Sequence, residues 1–182
     1  FYLPKTAGVD PATGKQLYYA YWTHTVNDEG TLVNTRCDEY ITDNVAMATL
    51  SKYYHESREP KLFGSIGSTF TILKNIDVSF LTTYSIGGWV YDGLYNGSYA
   101  TTSNSLIDAS YFAIKNITVG YTLPKRWLKK IDIESLRIYA TLDNIAMFNH
   151  MDGMDPQYNF TGSVAYSYTP SRVIAFGIDL NF

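Results

Sequence analysis

Cysteine, ionic charge and long apolar runs are all scarce in this sequence, and each shortage excludes a class of protein. Cys37 is the only cysteine in 182 residues, so no internal disulfide can form. With only three scattered histidines beside it, neither a redox pair nor a zinc site is predicted. No run of about 18 apolar residues exists, which excludes a transmembrane helix. The net charge of −3, without a basic stripe, gives no electrostatic reason to expect a nucleic acid as partner.

Residues able to carry catalysis are also few. No Ser/His/Asp or Cys/His arrangement is recognisable, so we predict no catalytic residue, no cofactor and no enzymatic activity. The carboxylates of Asp28, Glu29, Asp38 and Glu39 stand side by side in loop-like sequence and are interpreted as solvated charge. The segment HMDGMD from His150 does not match a calcium loop, and a hydrogen-bonded turn is the preferred interpretation, with no metal site.

Aromatic residues and strict alternation are what the chain has in abundance. Aromatic residues make up 16% of the sequence, whereas charged residues make up 17%, against about 25% in ordinary globular domains. In the last segment, SRVIAFGIDLNF, every second residue from Ile174 to Phe182 is apolar and the intervening residues are small or polar. This period of two predicts a β-strand with one apolar face. A flat apolar strand that carries neither charge nor proline on that face is typical of a transmembrane β-barrel.

The same alternation recurs upstream and predicts about six strands in all. Four segments are clear, around 62–72, 76–86, 112–123 and 135–144, and a weaker one covers Leu17 to Val26, where Tyr and Trp occupy both faces. The alternation changes phase at Lys115-Asn116, and a β-bulge there would restore one continuous apolar face. The residues predicted to face lipid are Ile76, Val78, Phe80, Ile117, Val119, Ile138, Leu142, Ile174, Phe176 and Ile178.

The connections between these strands alternate in length. Those at 73–75 and 124–134 are short, whereas those near 27–61, 91–110 and 145–170 are long and rich in Gly, Asn, Ser, Thr and Tyr. Outer-membrane barrels have short periplasmic turns and long extracellular loops. This asymmetry places the long loops outside the cell and the C-terminus on the periplasmic side. In the short connection, Trp127 among four basic residues is interpreted as an interfacial anchor near lipid headgroups.

The sequence also resembles a known family over most of its length. The run from Tyr111 to Asn149, the following GMDP at Gly153 and the closing SRVIAFGIDLNF resemble the C-terminal end of SusC/RagA-type TonB-dependent importers of Bacteroidetes outer membranes; AGVDPATGKQLYY from Ala7 resembles an upstream segment of the same barrels. The resemblance implies an all-β, antiparallel barrel of about 22 strands with a plug domain, a SusD-type lipoprotein lid, energy from TonB, and glycans or peptides as substrates. Because six strands cannot close so wide a barrel, residues 1–182 are predicted to be the C-terminal part of one barrel domain, without the plug and with the remaining strands elsewhere.

Two sets of aromatic residues are the candidate functional residues. Rings in the long loops could offer flat platforms to a substrate or to a partner protein: Tyr91, Tyr95, Tyr158, Phe160, Tyr166 and Tyr168. For Trp89, Tyr91, Tyr166 and Tyr168 the aromatic belt at the membrane surface is an equally good explanation. On the last strand, Phe176 and Phe182 resemble the terminal aromatic signal that the insertion machinery of outer-membrane barrels reads.

Three classes of function remain open at this point. The favoured one is a barrel wall with extracellular loops in a nutrient importer of the outer membrane. The alternative is a soluble β-sandwich that binds carbohydrate, whose outward strand faces would be polar. The third is an enzyme carried on a barrel, which would need a convergent catalytic set that the sequence does not contain.

Overall fold

A computed structural model describes residues 1–93, 102–129, 133–151, 155–158, 162–164 and 169–182. The fold is all-β, as predicted, with four sheets and two short α-helices among the described residues. The chain forms two compact units, one of residues 1–59, 88–108 and 157–166, the other of residues 60–87, 109–156 and 167–182. No helix in these ranges is long and apolar enough to cross a membrane.

The elements follow one another in chain order as β1 (Tyr2–Pro4), β2 (Thr6–Val9), β3 (Gln16–Val26), β4 (Leu32–Thr42), α1 (Val45–Leu50), β5 (Lys52–Tyr54), β6 (Leu62–Ile72), β7 (Ile76–Ile86), β8 (Trp89–Asp92), β9 (Leu106–Asp108), β10 (Tyr111–Thr122), α2 (Lys125–Leu128), β11 (Ser135–Asn149), β12 (Ser163–Val164) and β13 (Val173–Asn181). Single turns of 3₁₀-helix cover Ser103–Ser105 and Pro156–Tyr158.

The second unit is built on one five-stranded antiparallel sheet, which we call the long sheet. Its strand order is β13-β11-β10-β7-β6, so consecutive long strands lie side by side as in an up-and-down barrel wall. These are the five strands that the clear alternation predicts. The predicted tight turn after β6 is present: Leu73 and Lys74 both have positive φ, of 51° and 64°, and the Asn75 amide donates to the Ile72 carbonyl over 3.3 Å.

The predicted bulge is also present. In both of its pairings β10 changes register between Ile114 and Asn116, which leaves Lys115 as the extra residue relative to β7. On β11 the shift falls beside Asn144, whose φ is 51°. Beyond the shift Ile114 stands opposite Thr82 of β7 and Ala146 of β11, so the apolar face continues through it.

The first unit corrects two expectations. The segment Leu17 to Val26 is a strand, but it belongs to a separate sheet of order β2-β3-β4 and not to the long sheet. The predicted loop near 27–61 contains β4, α1 and β5. Asn44 caps α1 by accepting from the amides of Ala46 and Met47, and this short polar side chain is the local reason that the helix begins there.

A small core lies in the first unit, where α1 packs on β3. Tyr18, Ala20, Met47 and Ala48 are all at most 3% exposed. The buried Ser51 hydroxyl accepts from the amides of Tyr21 and Trp22, at 2.9 and 3.1 Å. It therefore satisfies two backbone donors where β3 shifts register against β4.

The other two predicted loops also contain short strands. The segment near 91–110 includes β9 and the end of β8, and the segment near 145–170 includes the last five residues of β11 and all of β12. In the first unit β8 pairs antiparallel with β9 and parallel with β12. The predicted short connection at 124–134 holds α2, whose Trp127 is exposed.

Candidate functional site

One face of the long sheet is apolar from strand to strand. Residues that stand directly opposite each other lie on the same face of a sheet, so the register defines rows that cross all five strands. Three consecutive rows are Ile72, Ile76, Tyr121, Ile138 and Ile178; Phe70, Val78, Val119, Ala140 and Phe176; and Ser68, Phe80, Ile117, Leu142 and Ile174. Every residue predicted to face lipid lies on this face.

The apolar face is open to the surroundings. Ile174, Phe176 and Ile178 of β13 are 63–81% exposed, and Phe70 of β6 is 53% exposed. A soluble domain covers such rows with a second layer, because exposed apolar area costs about 25 cal/mol per Å². A face this large and this apolar fits contact with hydrocarbon or with a further layer of protein.

The opposite face is polar and carries an ion cluster. Arg137 of β11 donates from Nε and Nη2 to the two carboxylate oxygens of Asp77, at 3.0 and 2.6 Å, and from Nη1 to Asp179 at 3.0 Å. The Arg137 guanidinium also lies 4.9 Å from the centroid of the Tyr139 ring. The cluster joins β7, β11 and β13 and spans the intervening β10 above Gly120. Such bidentate pairs hold both partners in one geometry.

Smaller polar contacts continue this face towards the bulge. The Thr118 and Thr141 hydroxyls lie 3.0 Å apart, and the Asn116 amide donates to Asp143 over 2.7 Å. The long sheet thus has one apolar face and one polar face. Strands of a transmembrane β-barrel have the same two faces.

An open hollow of about 560 Å³ lies at the bulge end of the long sheet. Lys115 and Arg172 contribute positive charge to it, Met147 and Met151 contribute apolar surface, and Asp155 lies buried at its edge. Within the described residues no group of three or more His, Cys, Asp or Glu side chains could hold a metal ion. His150 and Asp155 therefore form no such group with any other described residue.

A second hollow, of about 580 Å³, lies in the first unit and is lined by tyrosines. Tyr21 and Tyr53 meet edge to face at 5.3 Å between centroids. The Tyr53 hydroxyl donates to Glu39 Oε2 over 2.7 Å, and the Tyr21 hydroxyl donates to the Lys52 carbonyl over 2.7 Å. Burial, followed by the hydrogen bond to Glu39, raises the pKa of Tyr53 above its ordinary value. The hydroxyl therefore stays protonated and neutral.

Tyr2 and Tyr54 extend this tyrosine cluster towards solvent. Their ring centroids are 4.9 Å apart, and Tyr54 is 89% exposed. Sequence reasoning did not predict this cluster. Tyr2 meets Tyr54 because β1 pairs with β5. About fifty residues separate these two strands in the chain, and no local sequence pattern predicts their pairing.

The predicted loop aromatics are only partly placed. Tyr91 lies on β8, half-buried, opposite Leu106 of β9 and Ser163 of β12. The backbone of Tyr158 belongs to the second 3₁₀ turn. The remaining predicted contact residues, Tyr95, Phe160, Tyr166 and Tyr168, lie outside the described residues. The two predicted signal residues are exposed: Phe176 on the apolar face and Phe182 after the end of β13.

Comparison with known proteins gives one curated relative and a group of solved structures. The chain is 29% identical over 92 residues to TonB-dependent receptor P3 of Formosa agariphila, a match to 44% of this chain and 9% of that protein. It is similar over its whole length to structures of the RagAB peptide transporter, with a TM-score of 0.74 at 22% identity, and of the RagAB peptide importer in its open-open state, with a TM-score of 0.69 at 20% identity. No family model matches the sequence.

The chain spans 22–23% of the length of the RagAB chains that it matches. The match covers 100% of the present chain, so both units take part in it. The all-β fold, the antiparallel long sheet and the two-faced strands agree with the resemblance found in the sequence. The chain therefore has the fold of the corresponding part of the RagAB transporter chains, and part of it is similar in sequence to a TonB-dependent receptor.

Proposed function

We propose that this chain forms part of the barrel wall of a TonB-dependent importer of nutrients in the outer membrane. The observation that carries the proposal is the long sheet itself, whose rows of exposed apolar residues lie back to back with a polar face and its Arg137 cluster. Lipid on one side and a wet lumen on the other match these two faces. The relatives are named as receptor and importer and not as enzymes, which supports a role in transport.

The soluble β-sandwich is the weaker alternative. A sandwich buries the apolar faces of two sheets against each other over a core about 10 Å thick. In the long sheet the apolar residues Ile138, Ile174 and Phe176 are each exposed by 46% or more, so among the described residues no second sheet covers them. The sandwich would have to leave its own core face in water.

The rest of the barrel supplies the missing neighbours of the long sheet. Among the described strands β6 and β13 have one partner each, so each has an edge that a further strand can pair with. We place about 22 strands and a plug domain in the whole protein by analogy with transporters of this type. The short connections after β6 and β10 then lie at the periplasmic side with the C-terminus, and the long connections lie outside the cell.

The partners follow from the same assignment. A SusD-type lipoprotein would close the barrel from outside, TonB would act through the plug, and the cargo would be a glycan or a peptide. The RagAB structures are those of a peptide importer, which supports a peptide as one choice. The aromatic loop that carries Tyr158, Phe160, Tyr166 and Tyr168 is the proposed contact with the lid. Loops this long are usually either functional or disordered, and the aromatic composition favours function because disordered segments are poor in aromatic residues.

To test the proposal, the whole protein is expressed in cells with and without TonB. The uptake of a labelled oligosaccharide pool and of a labelled peptide pool is then measured. We expect the protein in the outer-membrane fraction, uptake of one pool that disappears without TonB, and co-purification of the lid lipoprotein. Replacing Tyr158, Phe160 and Tyr166 together by Ser should weaken lid retention or uptake and leave a heat-modifiable barrel. Protein that is soluble without detergent, or uptake that is the same without TonB, would refute the proposal.

A further inference from the structure

Two neighbouring cross-strand pairs on the polar face join β11 to the last strand, β13. Tyr139 stands opposite Gly177, and Arg137 stands opposite Asp179. The Tyr139 ring covers Gly177 so closely that a Cβ atom on the glycine would overlap the ring. The Arg137 guanidinium reaches Asp179 and lies over the same tyrosine ring. The four side-chain positions therefore form one interlocking group.

The apolar face cannot by itself set the register of β13. A slip by one residue would turn every apolar side chain to the polar face and is strongly disfavoured. A slip by two residues keeps all faces correct, because the apolar residues Ile174, Phe176, Ile178 and Leu180 repeat with that same period. Side-chain contacts that do not repeat every two residues must therefore distinguish the native register from the registers shifted by two residues.

The two pairs supply this distinction. In one two-residue slip Tyr139 would cover Ala175 and Arg137 would face Gly177; in the other Tyr139 would cover Asp179 and Arg137 would face Asn181. Either slip places a side chain under the ring and removes the ion pair of Arg137 with its opposite residue. Gly177 is the only glycine of β13, so only the native register offers an empty position to the ring.

Asp77 makes this group rigid from the other side. Its bidentate contact with Arg137, at 2.6 and 3.0 Å, orients the guanidinium through a strand other than β13. A guanidinium held in this way presents its third nitrogen to one position of the incoming strand, where Asp179 lies.

We propose that Tyr139 with Gly177 and Arg137 with Asp179 act as a register lock, which selects the native alignment of the last strand when the sheet is completed. The proposal goes beyond transport, since it concerns how the wall is assembled. It would hold for any cargo, and its test does not use uptake.

The test reads the register directly by disulfide formation. In the whole protein with Cys37→Ser, one cysteine is placed at Thr141 or Asp143 and the other at Val173 or Ala175. The native register aligns Thr141 with Ala175 and Asp143 with Val173. A slipped strand instead aligns Thr141 with Val173, or Asp143 with Ala175. Only directly opposite pairs approach the Cβ separation of about 3.5 to 4.5 Å that a disulfide needs.

The lock is removed by Tyr139→Ala with Asp179→Ala. We expect the native disulfides alone in the parent protein, and a rise of the slipped disulfides of roughly tenfold in the lock-free variant, the change that loss of two cross-strand pairs allows. The control variant, Thr69→Ala with Ser79→Ala, removes another opposite pair on the polar face and should leave the slipped fraction unchanged. Equal slipped fractions in parent and lock-free proteins would overturn the proposal.

If the lock-free protein does not fold, a second pair of variants tests the contact between Tyr139 and Gly177. Gly177→Ala should reduce the yield of folded barrel several-fold, because the new methyl group meets the Tyr139 ring. Adding Tyr139→Ala should restore most of that yield by removing the ring. A wild-type yield for Gly177→Ala, or no rescue by the second substitution, would show that ring and glycine do not interlock and would refute the lock.

Discussion

Arg137 and Asp77 form a bidentate ion pair although a whole strand, β10, lies between theirs. The contact is possible because the residue beneath it is Gly120, where a Cβ atom would lie 2.5 Å from Asp77 Oδ1 and 2.6 Å from Arg137 Nη2. Because Gly120 has no side chain, Asp77 and Arg137 can meet although their strands lie about 10 Å apart in the sheet. A glycine inside a strand that carries no turn is explained by this close approach.

Gly120→Ala should push the Asp77 carboxylate and the Arg137 guanidinium apart and destabilise the folded protein by about 1 kcal/mol, the order of a partly exposed ion pair. The measurement is the midpoint of denaturant unfolding in detergent. The matched background is Asp77→Ala, which removes the obstructed carboxylate, so Gly120→Ala should cost much less there. The same cost in both backgrounds would contradict the contact.

Arginine on the apolar face should be far more costly than arginine on the polar face. Phe176→Arg or Val119→Arg should cost about 2 to 4 kcal/mol near the middle of the membrane, because the charge meets lipid. Ala175→Arg is the matched control, since Ala175 is the exposed neighbour of Phe176 on the polar side of β13. Equal losses in a folding titration in lipid vesicles would exclude the assigned faces.

The ion pair of Lys15 with Asp43 should appear as a shifted titration. The ammonium donates to Asp43 Oδ2 over 2.8 Å, and this hydrogen bond, with the charge of Lys15, lowers the pKa of Asp43. Because the folded-state pKa is depressed, the pair stabilises the β3–β4 hairpin above the ordinary carboxyl pKa, and the effect is lost as the pH falls through the lowered value.

Lys15→Gln should therefore raise the pKa of Asp43, measured by the ¹³C shift of its carboxylate. Asp10 is the internal control: the Thr13 hydroxyl and then the Ala12 amide are the main causes that lower its pKa, so it should change little. An unchanged titration of Asp43, or an equal rise for both groups, would show that Lys15 is not the cause.

Deletion of Phe182 should lower the amount of protein in the outer membrane more than Phe182→Tyr does. The side chain is 87% exposed, so its loss removes little packing from this chain, and a change in abundance reports insertion and not unfolding. The measurement is quantitative blotting of the outer-membrane fraction, with the unfolding midpoint of the surviving protein as control. Unchanged abundance would refute a role as an assembly signal.

The long sheet could be predicted from sequence because its five strands obey a single physical rule. Each strand has one apolar face and one polar face, so the alternation is strict. An interruption of the alternation, such as that at Lys115, therefore indicates a bulge. The confirmed turn after β6 follows from the same reasoning, since the alternation leaves only Leu73 to Asn75 between two strands.

The first unit could not be predicted in this way. Tyr and Trp occupy both sides of β3, whose residues meet a small core, solvent and other aromatic rings, so no periodicity remains. The pairing of β1 with β5 and the contact of Tyr53 with Glu39 depend on segments that meet only after folding. The Arg137 cluster is hidden for the same reason, since 60 positions separate Arg137 from Asp77.

The register shifts at Lys115 and Asn144 also determine the course of the strands. Between the same two rows, β7 advances two residues, from Phe80 to Thr82, whereas β10 uses three, from Ile117 to Ile114, and β11 uses four, from Leu142 to Ala146. The three strands use different numbers of residues to cover the same distance between these rows. Their local tilt and coiling must therefore differ. These register shifts therefore add to the stagger between the three strands. Because stagger and diameter are linked in a closed barrel, we expect the insertion or deletion of one residue at Lys115 or Asn144 to change the curvature of the sheet.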